Sequence, residues 1–156
     1  MLYLVYTFLC LKFRDLGGGN AMVMQDVKWT DDLSVGVADL DNDHKKLIKI
    51  LNSIFAAGIA GVGDAVIEKS LKDLEDYTHF HFDREEKFLE EKGYPSLDPH
   101  KFQHQKLIKE LKTYTDKVRE QGVNGMSADV MMFLRTWLIN HIKEHDHQYV
   151  AFLKEK

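Results

Sequence analysis

The chain has 156 residues, 44% hydrophobic and 29% charged, and its 21 Lys and Arg stand against 25 Asp and Glu for a formal net charge of −4. That length fits one domain, the mixture is that of a folded rather than a disordered protein, and without a dense basic cluster no nucleic-acid binding is expected. The single cysteine, Cys10, can form neither an internal disulfide nor a thiolate metal site, so a reducing, cytoplasmic location is expected. The unusual feature of the composition is its eight histidines.

Met1 to Leu11 are nearly all apolar, but a bilayer span needs about 20 such residues. Lys12 and Arg14 follow the apolar run instead of preceding it, and Gly17-Gly18-Gly19 comes next. Neither a membrane span nor an export signal is therefore expected. Residues 1–24 read as an extension outside the domain, with Met22 or Met24 as the functional start, and residues 25–156 read as the domain.

From Leu40 the apolar spacing is helical: Leu40, His44, Leu47, Leu51 and Ile54 form one stripe, ended by Gly58, Gly61 and Gly63. A second helix, capped by Asp64 and running to Gly93, carries the stripe Ile67, Leu71, Leu74, Thr78, His81, Glu85 and Phe88. Asp98 as N-cap and Pro99 in the first helical position open a third, with His100, His104, Leu107, Leu111, Tyr114 and Val118 in phase until Gly122. The fourth runs from about Ser127 to the end, with Met131, Leu134, Leu138 and His141 in phase. No β-alternation follows residue 40, and the only prolines are Pro95 and Pro99. The fold class predicted is all-α: an up-down-up-down antiparallel four-helix bundle with an N-terminal arm.

In such a bundle the starts of helices one and three share an end with the finishes of helices two and four. His44 and the pair His100 and His104 lie near starts, while His81, Glu85 and the stretch His141 to Asp146 lie in later halves. All four sets converge on one level.

A single buried histidine is usually a packing residue, but several at one level point to a metal. A charged Glu85 on an apolar stripe would cost several kcal/mol of desolvation without a cation, and the stripes carry no Lys or Arg to supply one. His81 with Glu85, and His100 with His104, are four residues apart, which advances about 400° around a helix and about 6 Å along it, a chelating geometry. Helix four is less decisive. His141 and His145 make a third such pair, whereas Asp146 lies five residues from His141 and about 140° around the helix. Spacing alone favours His145, although a carboxylate reaching sideways could bridge two metals. His79 and His147 fall off the stripes and read as surface or supporting residues. Imidazole and carboxylate without thiolate suit iron, zinc, manganese or copper.

The pattern resembles the hemerythrin family, and within it the single-domain bacterial hemerythrins. The residues that carry the likeness are Asp-Asn-Asp-His44-Lys-Lys-Leu, His81-Phe-Asp-Arg-Glu85-Glu, His100-Lys-Phe-Gln-His104 and His141-Ile-Lys-Glu-His-Asp146. The lead-in Trp29-Thr-Asp-Asp-Leu-Ser-Val-Gly-Val also looks like that family's N-terminal arm. The likeness runs from about residue 25 to the C-terminus, and by it Asp146, not His145, is the ligand.

The resemblance implies a non-haem di-iron centre with an oxo or hydroxo bridge, in which Glu85 and Asp146 bridge both irons. One iron would take His100, His104 and His141; the other would take His44 and His81 and keep one position open for dioxygen. The implied function is reversible oxygen binding for storage, transport or delivery, not catalysis, with an oxygen-using enzyme as a conceivable recipient. The charge of such a site is the same with and without oxygen, and an apolar pocket then need not reorganise. An oxygen or redox sensor would look identical at the metal and is expected to carry a signalling domain. A ferritin-like di-iron oxidoreductase needs Glu-x-x-His on two helices, and only Glu144 with His147 fits that spacing. Trp137, one turn before His141, and Leu47 are candidate walls of the oxygen pocket.

Overall fold

The computed structural model describes residues 26–61 and 63–155. Helix α1 spans Ala38–Ala60, α2 Asp64–Lys92, α3 Leu97–Gln121 and α4 Ala128–Asn140; a π turn at His141–Asp146 then leads into α5, His147–Lys154. Short 3-10 turns lie at Asp31–Leu33 and Gly122–Gly125. Packing runs α1 on α2, α2 on α3, α3 on α4 and α4 on α1, so the chain closes into the predicted up-down-up-down bundle. Among the described residues no helix is long and apolar enough to cross a membrane. Cys10 and the extension at residues 1–24 lie outside the described residues.

Helices α1 and α2 end where expected. Gly61 and Gly93 take left-handed φ values of 60° and 69°, which a side chain would resist, and their amides return to carbonyls of the last turn. Helix starts differ from expectation by one or two residues. Gly63, not Asp64, is the N-cap of α2, with Asp64 in its first turn. Ser96 is the N-cap of α3, so Asp98 and Pro99 fall inside the first turn instead of opening it. Pro99 costs nothing there, because amides in the first turn have no partner within the helix. Ser127 caps α4 through its hydroxyl, which accepts from the Val130 amide at 3.4 Å.

The predicted stripes face inward. Leu40, Leu47, Leu51, Ile54, Ile67, Leu71, Leu74, Leu111, Val118, Met131, Leu134 and Leu138 are all buried, and each wholly buried Leu or Ile contributes about 1.5–3 kcal/mol. Most join one long core that also takes in Trp137. A smaller cluster of Val35, Leu40, Leu89, Tyr94 and Tyr149 closes the end where α1 starts and α2 finishes. The arm is clamped on α1: the Val27 amide donates to Asn52 Oδ1 and Asn52 Nδ2 donates to the Val27 carbonyl, both at 2.9 Å. Asp41 accepts from Ser34 Oγ at 2.6 Å and from the Val35 amide at 2.8 Å, which turns the chain into α1.

Candidate metal centre

All seven residues singled out from the sequence meet between the two apolar clusters. His44 comes from α1, His81 and Glu85 from α2, His100 and His104 from α3, and His141 and Asp146 from the π turn; each is buried. His44 Nε2 and His81 Nε2 are 3.1 Å apart. Glu85 Oε2 lies 3.5 Å from His81 Nε2 and 3.9 Å from His44 Nε2, and Asp146 Oδ2 lies 3.3 Å from His44 Nε2. On the other side Glu85 Oε1 is 2.5 Å from His100 Nε2 and 3.4 Å from His104 Nε2, while Asp146 Oδ1 is 3.0 Å from His141 Nε2 and 3.8 Å from His100 Nε2. Each carboxylate thus turns one oxygen to each histidine set.

Donor atoms of His44, His81, Glu85 and Asp146 all fall within 4.8 Å of one another, as do those of Glu85, His100, His104 and Asp146. That is close to the width of a donor shell around an ion with bonds of about 2.0–2.2 Å. His104 Nε2, His141 Nε2 and both Asp146 oxygens find no hydrogen-bond partner although buried. Buried polar atoms are normally paired, and these four approach their neighbours without aligning as hydrogen bonds, so they converge on common points rather than on each other. The residues present therefore fit a pair of metal ions sharing two carboxylates.

Electrostatics point the same way. Burial works against ionisation of Glu85, but the bond from His100 and the adjacent His104 and His81 imidazoles outweigh it and hold the carboxyl well below its ordinary range. Burial and the adjacent Glu85 charge push Asp146 well above. Two carboxylates this close share one proton unless cations replace it. Burial lowers His44 and takes His141 well below the usual imidazole value, so both are neutral, as ligation requires. Burial opposes protonation of His104, but the adjacent Glu85 carboxylate and the bond to Glu86 prevail and raise it to about 9.

The π turn settles where His145 and Asp146 go in this fold. Its bonds close i→i+5, which adds a residue to the turn, so residue 146 rather than 145 comes back over His141. The 140° separation expected for a regular helix is thereby removed. Asp146 is wholly buried and His145 half-exposed. His79 and Glu144 are exposed and His147 half-buried, and none of them joins either donor set. Trp137 is buried in the long core, where its Nε1 donates to the Leu107 carbonyl at 3.1 Å, and Leu47 lies in the same core.

Four residues around the centre escaped the sequence reading. Tyr149 is wholly buried and its hydroxyl donates to Glu85 Oε2 at 3.1 Å. Phe82 stacks flat on the His104 ring at 3.7 Å. Glu86 Oε1 is 2.7 Å from His104 Nδ1, and the buried Asp43 Oδ2 is 3.5 Å from His81 Nδ1. Asp43 and Glu86 sit beside His44 and Glu85 in sequence, one step off the apolar stripes, where periodicity places solvent.

The Hemerythrin HHE cation binding domain model matches residues 35–153. The chain is 33% identical over 126 residues to the bacteriohemerythrin of Stenotrophomonas maltophilia, covering 81% of this chain and 80% of that one. It is 34% identical over 127 residues to the bacteriohemerythrin of Pseudomonas aeruginosa, at 81% of each. The myohemerythrin of Theromyzon tessulatum is 30% identical over 132 residues, with 81% of this chain and 93% of that one covered. A crystal structure of wild-type hemerythrin superimposes with a TM-score of 0.71 at 30% identity, over 80% of this chain and 95% of that one. With the family model matched across the whole bundle and these relatives at this coverage, the chain belongs to the hemerythrin family.

Proposed function

We propose that this chain binds dioxygen reversibly at a non-haem di-iron centre, for storage or delivery, and is not an enzyme. The observation that carries the reading is the sharing of Glu85 and Asp146, each with one oxygen toward His44 and His81 or His44 alone and the other toward the set of three histidines. When bound, a pair of iron ions supplies the two electrons that dioxygen takes up and returns. His100, His104 and His141 with the two carboxylates would offer five donors to one ion, and His44 and His81 with the same carboxylates would offer four to the other, which would leave dioxygen a place beside His44 and His81. The apolar clusters on either side keep bulk water away from the donors, and the neutral imidazoles stabilise high oxidation states less than carboxylates would. Membership of a family whose relatives are named bacteriohemerythrin and myohemerythrin supports the same reading.

The test is metal content together with the optical spectrum under argon and air. Two irons per chain are expected, with a nearly colourless reduced protein that gains a visible band in air and loses it under argon without releasing hydrogen peroxide. One metal per chain, or steady NAD(P)H-dependent oxygen consumption, would overturn the reading.

A further inference from the structure

Asp43 forms a buried junction that the ligand set does not account for. Its Oδ1 accepts from Tyr77 Oη at 2.8 Å and from Arg84 Nη1 at 3.2 Å. Its Oδ2 faces His81 Nδ1 at 3.5 Å, and both of those buried atoms are without a hydrogen-bond partner, so each is the nearest complement the other has. Both residues are buried, and Arg84 reaches them from a half-exposed position on α2. A carboxylate can only accept and a guanidinium can only donate. Oδ2 therefore draws the His81 proton to Nδ1 and leaves the Nε2 lone pair facing the centre.

We propose that Asp43, oriented by Arg84 and Tyr77, is a positioning residue that fixes the tautomer of His81 and so sets the strength of the metal position shared by His44 and His81. The inference rests on the di-iron reading above and adds to it a residue outside the ligand set. A supporting carboxylate of this kind commonly changes metal affinity about 10–100-fold when removed.

The orientation of Asp43 makes the test sharp. In D43N the introduced carbonyl must face Arg84, because an amide N–H cannot meet a guanidinium. The introduced NH2 then faces His81 Nδ1 and drives the ring proton to Nε2, where it blocks ligation. A tautomer reversed by an Asp-to-Asn change in an intact geometry has precedent in serine proteases. The full-length chain, its D43N, D43A and D43N/R84M variants would be titrated with ferrous iron against a competing chelator, with Mössbauer spectra to count the sites.

D43N is expected to keep one iron and bind the second about 10–100-fold more weakly. D43A, though less similar in shape, is expected to bind the second iron more tightly than D43N, because it misdirects no proton. D43N/R84M, in which the amide is free to rotate toward His81, is expected to recover most of the loss. Two irons bound equally by wild type and D43N would overturn the proposal and leave the di-iron reading standing. An equal loss in D43N and D43N/R84M would reduce Asp43 to packing. If D43N did not fold, unchanged second-iron binding in D43A would still refute the inference. Failure of wild type to take a second iron would instead refute the underlying reading.

Discussion

Tyr149→Phe removes one oxygen from the centre and leaves the ring in place. The ring meets Tyr94 edge-on at 6.2 Å and His100 at 5.7 Å, contacts that a phenyl group keeps. What goes is the hydroxyl that donates to Glu85 Oε2, between two wholly buried side chains. Burial and the neighbouring Glu85 and Asp146 carboxyls push the phenol well above its ordinary range, so it stays protonated and able to donate. A hydrogen bond to a charged acceptor contributes about 1.5–3 kcal/mol. Glu85 keeps its short bond to His100 through the other oxygen, which places the loss near the middle, at about 2 kcal/mol. For a domain of this size that corresponds to a fall in Tm of roughly 6–8 °C, read by circular dichroism on the metal-free chain. With iron bound, cations take over the neutralisation of Glu85, and the fall should be less than half as large. An unchanged Tm without metal, or a larger fall with iron than without, would refute the reasoning.

On helix four, Asp146→Ala is expected to abolish binding of two irons while His145→Ala keeps it, measured by iron content; equal binding by the two would remove Asp146 from the ligand set. A separate network tests acid stability. Arg119 forks onto Glu75 at 3.1 and 2.8 Å, and Thr115 donates to the same carboxylate. Burial would raise Glu75, but the bonds from Arg119 and Thr115 prevail and lower it. A depressed carboxyl stabilises the fold above its unfolded value of about 4.3, and that contribution is lost as pH falls through the folded value. Glu75→Gln should therefore cost about 1–2 kcal/mol at pH 7, with the gap to wild type closing below about pH 4 in urea titrations. A chain beginning at Met24 is expected to match the full chain in iron content and Tm, since every ligand candidate and stripe begins after it.

Most of the bundle was legible because two independent signals agreed. The stripes marked which faces turn inward, and glycine and proline marked the ends, so antiparallel packing alone brought His44, His81, Glu85, His100 and His104 to one level. Helix starts were less legible, because the capping residue is chosen by where the chain enters from the previous turn and not by propensity: Ser96 takes that place in α3 although Asp98 is an equally good cap. Asp43 and Glu86 were illegible for a different reason. A carboxylate one step off an apolar stripe looks solvated until the neighbouring helix is in place, and in both cases the neighbour is an imidazole from another helix.

The fourth helix shows how an irregularity in the backbone can be written in the sequence and still be misread. Met131, Leu134, Leu138 and His141 hold one phase; Ile142, Asp146, Tyr149 and Leu153 hold the same spacing one residue later. A regular helix cannot face both sets inward, and continuing the first phase selects His145. One extra residue in the turn resolves the conflict, and it falls at His141–Asp146, where both phases meet and where Ile142, Asp146 and Tyr149 are all wholly buried. The wider turn replaces i→i+4 bonds with longer i→i+5 ones, a local cost that accounts for the rarity of such turns outside functional sites. Here it is offset by what the shift delivers: a carboxylate set between the two histidine groups, a phenol on the other carboxylate, and Ile142 returned to the core. The ambiguity between His145 and Asp146 was therefore a report of the backbone itself, because a single regular period could not satisfy both halves of the helix.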